Sequence, residues 1–332
     1  MRLSHFYRTL FATAVLFSSS LSFSQAPVQK PVSIGITQIT SHPSLDKVRD
    51  GILEALKAAG YEDGKKAKIF LENANGNLPV AVQIAQKLAS ENPDVVVGIS
   101  TPSAQTLLSA FHTTQTPIVF ATVTDPVGAK LVTNLSNPGG QVTGTQNIFP
   151  LKAHVKTIRT LFPRVKRVGV IVNMSEDNSV HMISALEKEL SPLGITLETA
   201  AIANGKDAKT AAQSLVDKID LLILLQDNTV ATTLPAVTDV MNRHHIPTLA
   251  AFVEAVSQGA LMSLAIDERL IGQETGKIVI KILQGTPVGN LPVIAPDKVD
   301  VFVNKALVQQ LGLGDDFLTK AKGLYPQLTL QE

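Results

Sequence analysis

The chain has 332 residues, 45% hydrophobic and 17% charged, which is too apolar for a disordered polypeptide and ample for one or two packed cores. A formal charge of +1 offers no basic excess for nucleic acid, so no nucleic-acid partner is expected. The absence of cysteine excludes a disulfide framework, a thiolate metal site, a thiol nucleophile and lipid attachment through an N-terminal cysteine.

The first segment stands apart. Arg2 and Arg8 precede an apolar run over residues 10–17, and small residues then lead to Ser22-Phe23-Ser24. That order predicts a secretory signal peptide over residues 1–24, cleaved near Ser24, and its apolar run is well short of the roughly 20 residues that span a bilayer. The expected product is exported to the periplasm and not itself embedded in the membrane. Loss of Arg2 and Arg8 changes the formal charge from +1 to −1.

After a polar leader to Lys30, the runs VSIGIT (residues 32–37), KIFLEN (68–73), DVVVGIS (94–100) and PIVFATV (117–123) alternate with helical stretches. Near-continuous apolar strands separated by helices predict a parallel sheet covered on both faces. Leu45, Val48, Ile52, Leu53 and Leu56 recur at helical spacing until Gly60, and Ala81, Ile84, Ala85 and Leu88 do so before Pro93.

The pattern then restarts. RVGVIVN (167–173), TLETAAI (196–202), LLILLQD (221–227) and TLAAF (248–252) alternate with helices around Leu186, Ala212 and Val240. Tandem units of this kind predict an α/β fold of two doubly wound parallel-sheet lobes. VTGTQNI (142–148), ALMSLAID (260–267) and VDVFVN (299–304) are expected to cross between them as a multi-strand hinge, with a helix over 271–283 returning to the first lobe. The lobes are then 31–147 plus 267–292 and 148–266 plus 293–325. A hinge of several connections predicts a cleft that closes on a ligand.

The segments ITQITSHPSLDKVRDGILEALKAAGY, ISTPSAQ, TVTDPVGAKLV, NPGGQVTG, DNTV and GQETGKIVIKILQG, in this order, resemble the ABC transporter substrate-binding proteins of the tryptophan/tyrosine type. The match spans nearly all of the mature chain. It implies a type I periplasmic binding fold that captures a small solute, in several members an aromatic amino acid, and delivers it to an ABC permease in the inner membrane. AAFVEAV departs from the more polar, aspartate-containing stretch expected there, and this loosens the ligand class.

In such folds ligands sit at the carboxyl ends of strands. With Thr101 as N-cap and Pro102 as first helical residue, the N–H groups of Ser103 and Ala104 and the hydroxyls of Ser100, Thr101 and Ser103 are expected to receive a carboxylate. Thr124 and Asp125 end the next strand; Asp125 can take an ammonium or simply cap a turn. Thr37 and Gln38 end the first strand, and His42 follows in a loop. Asn147 and Asp267 lie near the expected hinge. The facing wall is assigned to Asn173, Asn178 and Ser179, with Glu176 less secure, to the pair Asp227 and Asn228 as ammonium acceptor and amide, and to Phe252 for stacking.

Catalysis is not expected. There is no glycine fingerprint after the first strand, no GxSxG elbow and no HExxH pair, and neighbours such as His244 and His245 point apart on a helix end, so no cofactor or metal is assigned. A periplasmic sensor reporting to a kinase or chemoreceptor is the competing reading of the same fold. A repressor is not favoured, because the export signal occupies the place of a DNA-binding segment.

Overall fold

The computed structural model describes residues 30–331, so the predicted signal segment lies outside the described residues. Two sheets organise the chain. The first is built from β1 (Val32–Gln38), β2 (Ala67–Asn73), β3 (Val95–Ile99), β4 (Ile118–Val123) and β5 (Val142–Gln146), in the order β2-β1-β3-β4-β5 and parallel throughout. Its strands alternate with helices α1 (Pro43–Ala58), α2 (Leu78–Glu91) and α3 (Thr101–Ala110). β3 and β4 are buried along their whole length, as central strands covered on both faces must be.

The second lobe begins with α4 (Leu151–Leu161), then β6 (Arg167–Asn173), α5 (Asp177–Leu190), β7 (Thr196–Ile202), α6 (Ala208–Leu215), β8 (Leu221–Leu224), a short α7 (Asn228–Ala231), α8 (Leu234–Arg243), β9 (Thr248–Ala250) and β10 (Met262–Ile266). α9 (Glu268–Leu283) leaves it, and β11 (Val299–Asn304), α10 (Lys305–Gln310), α11 (Gly314–Leu324) and β12 (Thr329–Gln331) return to it. The sheet order is β12-β11-β10-β9-β8-β6-β7. Every pairing is parallel except β10 with β11.

α9 packs on α1, and its Ile278 and Val279 join the core of the first lobe. Two glycines allow the approach: a Cβ on Gly51 would lie 2.4 Å from the Arg269 carbonyl oxygen, and one on Gly272 would lie 2.1 Å from that of Val48. Any side chain there would force the helices apart.

The crossing segments differ from expectation. β5 completes the first sheet, while β10 and β11 are inner strands of the second, because apolar extended runs are satisfied by ladder partners on both edges. The chain passes between lobes through residues 147–150, Asp267 and residues 295–298, none of which is strand. The three links are short and irregular, the kind of segment in which a hinge can absorb backbone rotation without breaking either sheet.

Candidate functional site

The carboxyl ends of β3, β4 and β5 face those of β6 and β8 across the gap between the lobes. A tight strand-to-helix turn shapes the first wall, since a Cβ on Gly98 would lie 2.8 Å from the backbone of Ala104. Ser100 follows at φ 81° and ψ 163°, a region that is otherwise almost confined to glycine and costs of order 1–3 kcal/mol. Its carbonyl accepts the Ala104 N–H at 3.1 Å. The N-cap is therefore Ser100 and not Thr101, and the outward N–H groups are those of Thr101 and Ser103 rather than Ser103 and Ala104. The Ser100 and Ser103 hydroxyls are buried without a partner.

Thr122 is a second backbone outlier, at φ 57°, where the β4–β5 register shifts. Its hydroxyl accepts a hydrogen bond from Asn147 Nδ2 at 3.1 Å, which leaves Asn147 Oδ1 buried and unpaired. Strain at two adjacent strand ends that line one gap marks a place where geometry is held against local preference.

The three aspartates carry structural hydrogen bonds. Asp125 Oδ1 accepts the Gly128 N–H at 2.9 Å, the turn-capping alternative. Asp267 is exposed and caps α9 by accepting from Arg269 and Leu270 N–H. Asp227, fully buried, accepts from the N–H groups of Val230 (2.8 Å) and Asn173 (2.6 Å) and from Ser179 Oγ (2.7 Å). Burial first, and then Glu176, lifts the Asp227 pKa from 3.8 to about 7. Three committed bonds leave Asp227 bracing the second lobe rather than offering a free acceptor.

Glu176 braces the same region. Its Oε2 accepts from Asn228 N (3.0 Å) and Nδ2 (2.5 Å), and its Oε1 from Thr229 N (3.0 Å) and Oγ1 (2.8 Å), so it holds the N-terminus of α7. Asn173 is tied to Thr229 and Ser175.

What remains between the lobes is an inner cavity of about 30 Å³ and an outer chamber of about 210 Å³, both lined by Asn228. Of the residues expected from sequence, Ser100, Thr101, Thr124, Asn147, Asn178, Asn228 and Phe252 line the inner cavity, and Asn173 lines the outer one. Thr37, Gln38, Ser103, Asp125, Ser179, Asp227 and Asp267 line neither. Gln38 instead ties the loop after β1 together through Thr40 O and Asp46.

The inner cavity also recruits Ser44, Leu45, Thr122, Gln226, His42 and Glu268. Gln226 immediately precedes Asp227 at the predicted strand end, a position that could have singled it out; Glu268 carries no local signal. His42 is 5% exposed, packs edge-on against Phe252 at 6.1 Å between ring centroids, and is held neutral by burial, which lowers its pKa to about 4 against the opposing influence of Asn228. Glu268 is buried, and burial followed by Glu254 raises its pKa well above the usual carboxylate range.

Six residues lining this one cavity carry buried polar atoms with no protein partner: His42, Ser100, Asn147, Asn178, Gln226 and Glu268. Such atoms cost about 1–3 kcal/mol each when left unsatisfied, so their convergence points to a polar guest. The lobes touch beside it: Ser44 Oγ donates to Glu254 at 2.9 Å, Lys47 pairs with Glu254, and Gln105 donates to Asp177 at 2.7 Å.

The model of the family described as ABC transporter substrate binding protein matches residues 33–322. A tyrosine-binding protein of Clostridioides difficile (strain R20291) is 36% identical over 285 residues, 86% of this chain and 82% of that protein. The structure of an ABC domain from Streptococcus pneumonia in complex with L-Trp is 33% identical, with a TM-score of 0.82 over 88% of this chain and 98% of that one. The ligand-free, open structure of a substrate-binding protein with adhesive properties from Clostridium difficile is 34% identical, yet its TM-score is 0.67 over 91% of this chain and 99% of that one. The two-lobed architecture is that of the type I periplasmic binding proteins. The chain belongs to the ABC transporter substrate-binding protein family.

Proposed function

We propose that this protein is the periplasmic solute-binding component of an ABC importer, and that it captures an aromatic amino acid in the interlobe cleft. The observation that carries this reading is the ring of six unpartnered buried polar groups around the inner cavity, contributed by both lobes. A zwitterion is costly to desolvate unless both charges are paired, and such a ring supplies that pairing only when the lobes meet.

In this reading the ligand carboxylate lies at the start of α3, against the Ser100 hydroxyl and the Thr101 N–H, where the helix dipole favours an anion. Gln226, whose amide is unpartnered at both ends, and Asn178, through its free Oδ1, approach from the second lobe beside Asn228, while Phe252 supplies an apolar wall with His42 edge-on against it. The inner cavity of about 30 Å³ is far below the ~300–1,000 Å³ of typical ligand pockets, so entry requires the lobes to part and the wall to move. Closure then follows from the ligand's preference for the closed form, and release to a permease follows from the reverse.

Tyrosine- and tryptophan-binding relatives support the ligand class, and family membership favours transport over sensing and binding over catalysis. Among the described residues no helix is long and apolar enough to cross a membrane. Export to the periplasm rests on the predicted signal segment.

The test is a thermal-shift screen of the protein, stripped of bound solute, against all amino acids, small carboxylates and polyols. A ligand at one hundred times its Kd stabilises the folded state by about 2.7 kcal/mol. Shifts confined to tyrosine, tryptophan or phenylalanine are expected; a shift with only a polyol or a non-amino carboxylate would overturn the assignment.

A further inference from the structure

Resting on that reading, we infer that Glu268 is the receptor for the ligand's α-ammonium group and thereby sets the preference for amino acids over other aromatic carboxylates. Among the described residues it is the one carboxylate that lines the inner cavity. The side chain is 2% exposed, and its Oε2 atom has no hydrogen-bond partner.

The other acidic groups near the cleft are engaged or lie off the cavity. Asp125, whose Oδ1 caps a turn, and Asp267, exposed and capping α9, line neither cavity, Asp227 holds three donors, and Glu176 holds α7. Glu254 is engaged by Ser44 and Lys47. Lys47, a cation whose charge bears on Glu268, gives its ion pair to Glu254.

Glu268 is the first residue of α9, which α1 holds in the first lobe through the Gly51 and Gly272 contact, so its carboxylate is carried on a rigid helix beside the hinge rather than on a loop. It shares the cavity wall with Ser100 and Thr101, the anion-favouring start of α3. A site with a carboxylate acceptor and a helix N-terminus on one wall matches the two charges of an α-amino acid. The unfavourable burial of Glu268 beside Glu254 is what an arriving cation relieves.

The experiment is calorimetric titration of the protein and of Glu268→Gln with L-tyrosine and L-tryptophan, and with their deaminated counterparts 3-(4-hydroxyphenyl)propionate and 3-(indol-3-yl)propionate. The wild-type protein is expected to prefer the amino acid by about 100-fold or more, because a buried acceptor left unpaired penalises the analogue lacking the donor. In Glu268→Gln that preference is expected to fall by at least about tenfold, with the affinity for the deaminated compound kept or improved.

An unchanged preference in Glu268→Gln overturns the assignment while leaving amino-acid capture intact. Failure of the wild-type protein to bind either aromatic amino acid removes the proposed function, and this inference falls with it. Should Glu268→Gln fail to fold, Glu268→Asp, which withdraws the carboxylate by one methylene, is expected to lower the preference, and an undiminished one again refutes the role.

Discussion

Asp227→Ala separates a structural brace from a ligand contact. The carboxylate is fully buried and receives three donors: the Val230 N–H that starts α7, the Asn173 N–H at the end of β6, and Ser179 Oγ near the start of α5. Loss of the cap costs about 1 kcal/mol and loss of the two further bonds about 1–1.5 kcal/mol each, with the orphaned donors left buried. Burial of the carboxylate, which lifts its pKa to about 7, offsets a substantial part of this, so a net loss of about 1–2 kcal/mol is expected. At ~2–4 °C per kcal/mol this lowers Tm by roughly 5 °C. Thermal melting at pH 7 reads the stability, and tyrosine titration at 15 °C, where the variant remains folded, reads the affinity. A variant that melts like wild type but loses most of its affinity would show that Asp227 is a ligand acceptor and that the bracing argument is wrong.

Ser100→Ala tests the polar ring itself. Removing a buried hydroxyl without a protein partner is expected to leave the ligand-free Tm unchanged or slightly raised while weakening amino-acid binding about tenfold, and equal affinity would remove Ser100 from the site. His154 offers a pH test away from the cleft: burial lowers its pKa from 6.5 to about 4. Its folded pKa is depressed, so the unfolded chain binds the proton first and stability falls as pH drops from 6.5 towards 4, by ~3 kcal/mol for this one group. In His154→Gln, urea midpoints measured across that window should decline less steeply than in wild type, and parallel slopes would count against the buried neutral histidine.

The elements were legible in the primary structure because their signals are local. β6 and β7 fall at the residues that the apolar runs indicate, α9 extends the predicted helix by three residues at its start, and Ser100, Asn147, Asn228 and Phe252 reach the cavity because strand ends and adjoining links face the cleft in this architecture. Which polar group remains free is decided elsewhere. Asp227 is spoken for by Asn173 and Ser179, 54 and 48 positions earlier, and Asp125 by a turn three residues on. Glu268 reads as an ordinary first-turn glutamate until the packing of α9 on α1 brings it to the cavity with no partner. Periodicity is a property of neighbours along the chain, whereas hydrogen-bond satisfaction is a property of neighbours in space, and a binding site consists of the groups that the fold leaves unsatisfied.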